Sequence, residues 1–190
     1  IGTNTRKMEA KKGRREMKKF ELTTEFITNM LGKKLFRIKA LVEFGDVKAG
    51  ELGGYVEKEG NVSQDDNAWV SGDAEVFGNA KVFGNARVSD NARVSDNAWV
   101  SGHAWVSDNA KVSDNAWVSG RAKVSGDAKV SDNAWVSGRA LVSGDAKVSG
   151  RALVFGNARV SGDAWVSDNA DYALVQGFGI KFRCTTFYLS

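Results

Sequence analysis

The chain has no proline, and only one cysteine and one histidine among its 190 residues. Ordinary usage would supply about nine prolines, so their absence excludes proline-rich linkers and collagen-like segments. Cys184 alone cannot close an internal disulfide; a reducing, cytoplasmic setting fits. One histidine leaves no set of three to hold a catalytic zinc. No apolar run reaches about 18 residues, which excludes a membrane-spanning helix. The basic first residues lack the apolar stretch of a secretory signal.

Charge is also scarce once it is located. The net charge of +4 resides in residues 1–16, where Arg6, Lys7, Lys11, Lys12, Arg14 and Arg15 face only Glu9 and Glu16. The remainder sums to zero, so the high isoelectric point says nothing about the body. Residues 1–16 read as a basic leader, disordered or foreign to the natural chain, before a conventional-looking start at Met17. The alternative is an arm that touches nucleic acid or anionic lipid.

What is present in excess is repetition. From Asn67 the chain reads NAWVSG, DAEVFG, NAKVFG, NARVSD and onward to Ala170. Valine recurs every six residues from Val70 to Val166, seventeen copies without an insertion, with alanine two residues before each. In Ala-x-Val, period-two alternation turns alanine and valine inward and x outward. The three residues that follow are rich in Gly, Asn and Asp, which suit tight turns. Each hexapeptide is therefore a short strand plus a corner, and strands this short must stack to bury anything. Three hexapeptides close a triangular coil of 18 residues. The expected fold is all-β: a single-stranded, three-sided parallel β-helix of roughly 5.7 coils, about 27 Å long at one rung per 4.8 Å.

Open coil ends expose core and strand edges, so caps are expected. The expected organisation is a leader (1–16), an N-terminal cap and lead-in (17–60), the hexapeptide helix (61–170) and a C-terminal strand segment (171–190). The cap holds two apolar stretches, Phe20 to Leu31 and Leu35 to Phe44, joined at Gly32-Lys33-Lys34. The last segment ends on apolar residues, as a truncated chain would.

Val70-Ser71-Gly72-Asp73-Ala74-Glu75 resembles the hexapeptide motif of left-handed parallel β-helices, aliphatic-x-x-x-small-x. It departs at the second position, where Ser or Phe replaces the family's Gly, Ala, Asp or Glu. The stretch from Phe44-Gly45-Asp46-Val47 through Gly53-Gly54-Tyr55-Val56 to Asn61-Val62-Ser63-Gln64 resembles the segment before the coil in YdcK-like hexapeptide proteins of bacteria and their phages, which have no assigned activity. The resemblance implies left-handed coiling. A right-handed, three-sided helix of the bactofilin kind is the alternative, since ordinary parallel crossovers are right-handed.

Residues 18 apart should share a column. The outward positions then sort into a first face (Trp69, Arg87, Trp105, Lys123, Leu141, Arg159), a second (Glu75, Arg93, Lys111, Lys129, Lys147, Trp165) and a third (Lys81, Trp99, Trp117, Trp135, Leu153). The second face is bracketed by corner aspartates, and local neutralisation of its cations is expected. The corner between the third and first faces carries Asn85, His103, Arg121, Arg139 and Asn157 as its third residues, with no aspartate among them. Trp99, Trp117, Trp135 and Leu153 on one side, and Trp105 and Lys123 on the other, make this the candidate binding edge.

Other chemistry is absent. Related hexapeptide acyltransferases use a histidine base beside loops that break the coil, and here no loop interrupts the repeat. The aspartates and asparagines read as stacked corner ladders, because the calcium-binding β-roll has a nine-residue period. No cofactor and no metal are expected. The leading expectation is a non-enzymatic structural or binding module that presents side-chain ladders to a protein partner or to its own copies. The alternatives are an acyltransferase-like enzyme with His103 as base, and a binder of polyanion or nucleic acid through the Trp/Arg edge.

Overall fold

The computed structural model describes residues 18–167, and they form an all-β molecule without an α-helix. The basic leader, the C-terminal strand segment and Cys184 lie outside the described residues. Strands β4 to β20, from Trp69–Val70 to Trp165–Val166, are two residues long each and recur every six residues. They stack in parallel, each on the strand 18 residues away, as Trp117 on Trp99 and Val118 on Val100. Three sheets result, one per face of a β-solenoid with about six windings.

The core follows from the alternation. The alanines and valines of the repeat, from Ala68 to Val160, are buried in one continuous column. At the described C-terminal end, Ala164 and Val166 are only partly covered. Backbone bonds run from winding to winding, as from Trp117 N–H to the Ala134 carbonyl (2.9 Å) and from Ser119 N–H to the Val136 carbonyl (2.9 Å).

The corners repeat one chemistry. Their second residue is Gly or Asp with φ between 58° and 71° from Gly72 onward. Where it is Asp, its carboxylate accepts the hydroxyl of the preceding serine, as Ser95 does to Asp96 at 2.7 Å. The same carboxylate then takes the N–H of the corner one winding on, as Asp132 takes that of Gly150 at 3.0 Å. Asparagine side chains stack as amide ladders, Asn79 to Asn97 to Asn115 to Asn133. The carboxylates at the second corner position are thus building material.

The N-terminal cap is strand-rich. β1 (Phe20–Thr28) and β2 (Lys34–Ala40) form an antiparallel hairpin, and β2 pairs with β3 (Leu52–Val56). β3 then runs parallel to β5 (Glu75–Val76), so the hairpin extends the sheet of the second face. Phe20, Ile38 and Val47 join the solenoid core from this end. The first winding is longer by two: Val56 pairs with Val76 and Val62 with Val82. The extra residues lie in the corner between Val62 and Ala68 and serve the cap. There the Gln64 side chain accepts the N–H groups of Lys19 and Phe20 and donates back to the Phe20 carbonyl.

Two sequence expectations change. Trp69 belongs to the first outward column by register, yet it is buried, because the cap folds over it with Phe20 and Phe44 edge-on to its ring. The cations of the second face are not neutralised in place. Arg93 pairs with Glu75 at 3.3 Å, but among the described residues Lys111, Lys129 and Lys147 form no ion pair. The flanking Asp96, Asp114 and Asp132 have turned their carboxylates into the corner, where serine and the next N–H hold them.

Candidate binding face and corner

The third face carries the aromatic column. Trp99, Trp117, Trp135 and Leu153 occupy successive rungs of one five-stranded sheet. The indoles differ in how they meet. Trp99 meets Trp117 edge-on at 5.8 Å and 75°, whereas Trp117 and Trp135 stack flat at 5.0 Å and 5°. Each indole leans over the winding before it. Trp117 donates its ring N–H to Ser101 and Trp135 to Ser119, both at 3.0 Å. The polar edges of Trp117 and Trp135 are therefore satisfied within the molecule and a face of each is covered by the other, whereas the Trp99 ring N–H has no acceptor among the described residues. What remains outward is apolar surface, with Trp99, Trp117 and Trp135 still 44%, 36% and 42% exposed.

The stripe is longer than its tryptophans. Phe83 lies edge-on to Trp99 at 5.7 Å. At the other end, Trp135, Ser137, Leu153 and Phe155 line a shallow open depression. Phe83 and Phe155 stand where the repeat has serine, and that substitution is the signal by which the sequence marks them. They replace the serine that a tryptophan one winding on would use as its acceptor. Position 99 sits above Phe83 and turns to ring contact instead.

The adjoining corner holds His103, Arg121 and Arg139, all exposed. The His103 ring lies 3.5 Å from the Asn85 amide. Among the described residues it has no carboxylate partner, and it is exposed. Arg121 and Arg139 form no ion pair among the described residues. Past the corner, Trp105 and Lys123 are cross-strand neighbours, with the ammonium 5.5 Å from the ring centroid. The nine predicted edge residues thus lie on two adjoining faces, the third and the first, and on the corner between them. The structure also adds Asp66 to this corner: its carboxylate takes the N–H of Gly84 at 3.0 Å, one winding below His103 and two below Arg121.

Lys19 was not singled out by the sequence. It is buried at the cap, donates to the Asp66 and Ala68 carbonyls at 2.7 and 2.9 Å, and sits 4.8 Å from the Phe44 ring centroid. Burial lowers its pKa to about 8, against the raising effect of Asp66. Both carbonyls are main-chain, so this lysine fastens the cap to the first winding. No cluster of three His, Cys, Asp or Glu residues is placed to hold a metal among the described residues. No helix there is long and apolar enough to cross a membrane.

This geometry defines a β-solenoid repeat protein. Residues 86–102 and 152–168, each about one winding, match the YdcK beta solenoid repeat. That match and the winding of 18 residues fit a YdcK-like repeat protein. No curated protein matches the chain.

Proposed function

We propose that the protein is a non-enzymatic interaction module: a rigid rod whose third face docks apolar side chains of a protein partner or of another copy. The observation that carries this reading is the state of the Trp99–Trp117–Trp135 column. A site that stacks bases or sugars needs free π-faces. Here Trp117 and Trp135 spend faces on each other and their N–H groups on serine. Apolar packing is what they still offer. The three indoles leave about 300 Å2 uncovered, taking up to 250 Å2 for a whole side chain, and Leu153 and Phe155 extend the strip. That is the size of the largest apolar patch on a typical monomer, which is often functional. A cytoplasmic setting accords with one cysteine in the whole chain.

Replacing Trp99, Trp117 and Trp135 together by Ser tests the reading. The mass of the particle in light scattering, or capture of the partner, should fall while the β-solenoid circular dichroism persists. An unchanged mass together with undiminished capture would remove the stripe as a docking face. The acyltransferase alternative makes a different demand: acyl-CoA consumption that is lost in His103→Ala.

A further inference from the structure

The two kinds of corner differ by one carboxylate. In seven places an N–H at the second position of a corner is taken by a carboxylate from the winding below. The acceptors are Glu57, Asp66, Asp90, Asp96, Asp108, Asp114 and Asp132. Five of those aspartates also accept the hydroxyl of the serine beside them. Above Gly84 the corner between the third and first faces breaks this rule. Its second residues are all glycine: Gly102, Gly120, Gly138 and Gly156. The backbone does not require that, because aspartate adopts the same φ, near 60°, in the other corners. Each of the three windings therefore has a socket without its carboxylate. The sockets are formed by Ser101 with the Gly120 N–H, Ser119 with the Gly138 N–H and Ser137 with the Gly156 N–H. Among the described residues those N–H groups have no acceptor, and the serine hydroxyls donate to none. Ser101 and Ser119 are themselves held in place by indole N–H groups. His103, Arg121 and Arg139 stand beside the sockets, so every group presented there is a donor or a cation.

A control lies in the same molecule. The corner between the first and second faces also has glycines at Gly126, Gly144 and Gly162. Above Gly126 its sockets, Ser125 with the Gly144 N–H and Ser143 with the Gly162 N–H, are equally without a carboxylate among the described residues, so the two corners differ in their third residues. In this second corner they are Asp127, Asp145 and Asp163, which are exposed and without an ion pair or side-chain hydrogen bond among the described residues. The third residues thus give one corner three windings of His or Arg and the other three windings of carboxylates. Both repeat at the pitch of the solenoid, about 4.8 Å, so they match for either relative direction of two rods.

We propose that the corner of His103, Arg121 and Arg139 binds a row of carboxylates at the rung pitch, supplied by Asp127, Asp145 and Asp163 of a second copy of this chain. The contact is side-to-side and heterologous, so it can continue from copy to copy. It rests on the interaction-module reading but uses a different surface from the tryptophan stripe.

The test uses the full chain in sedimentation equilibrium. Association should weaken about tenfold or more between roughly 20 mM and 500 mM salt, as exposed ion pairs require. Arg121→Glu/Arg139→Glu and Asp127→Lys/Asp145→Lys/Asp163→Lys should each be monomeric alone, and an equimolar mixture of the two should associate again. These side chains are exposed; should either variant lose its β circular dichroism, Arg121→Gln/Arg139→Gln replaces it and should raise the dissociation constant in the same sense. A wild-type monomer at low salt overturns the proposal, and so does an association that both charge variants keep. Loss in the Trp→Ser variant with retention in the arginine variants also overturns it, while leaving the stripe intact. Capture of polyglutamate by a chain that does not self-associate overturns the second copy as the source of the carboxylates.

Discussion

Single side chains in this protein matter through the polar groups they close. Ser at the second motif position, the point of departure from the usual hexapeptide, is explained by two bonds. It donates to the neighbouring aspartate and accepts an indole N–H sixteen residues on, as Ser89 does with Asp90 and Trp105. Lys19 is the residue whose titration should be visible. The unfolded chain holds its proton to about pH 10.4, whereas the folded chain releases it near 8 because burial disfavours the charge. Between those values the unfolded state binds more protons, so folding gains stability as pH rises. Below about pH 8 both states hold the proton and the burial of charge is a standing cost. Urea midpoints of the natural chain, taken relative to Lys19→Met, should therefore climb from pH 8 to 10.5. A flat difference across that window would show that the ammonium is not desolvated.

At the scale of elements, the junction of cap and coil is the tightest place. A Cβ on Gly54 would lie 2.7 Å from the Ala74 carbonyl oxygen and 2.8 Å from Val70 Cγ1. The carbonyl is main chain and is already engaged by Tyr55 N–H at 2.9 Å. Gly54→Ala should cost about 1–3 kcal/mol by overpacking, whereas Gly60→Ala, which meets nothing within 4 Å, should change little. Denaturant unfolding of the two variants checks the contrast, and equal midpoints would contradict the contact. The elements of the coil itself were legible from the sequence, because one period of six fixes strand, corner and facing together. The cap was legible only as two apolar stretches. Its hairpin register depends on the bulge between Leu22 and Phe26 and on Gln64, which carry no periodic signal. For the same reason Trp69 was placed outward: its own hexapeptide says so, and only the distant Phe20 and Phe44 say otherwise. The candidate edge followed from arithmetic on columns. Its empty sockets did not, because an N–H without a partner is visible only once the partners of the others are known.

Taken whole, the molecule is three columns of interchangeable core units. Removal of residues 107–124 should delete one winding and leave Trp99 beneath Trp135 on the same face. Removal of residues 119–124 should keep the Ala/Val core equally well but carry Trp135 round to the second face. Both variants are expected to retain the circular dichroism of the solenoid, with thermal midpoints lowered by a few degrees, at about 2–4 °C per kcal/mol for a chain of this length. Only the longer deletion should keep whatever partner the tryptophans hold. Unfolding of the shorter deletion alone would mean that the faces are not equivalent inside.

The bonds from Trp117 to Ala134 and from Ser119 to Val136 point along the rod, as do their counterparts on every face. Under tension applied to its two ends such a molecule is loaded one turn at a time, like thread drawn from a bobbin. Each turn that lets go releases 18 residues, roughly 60 Å of slack at full extension, while the turns beyond it stay wound.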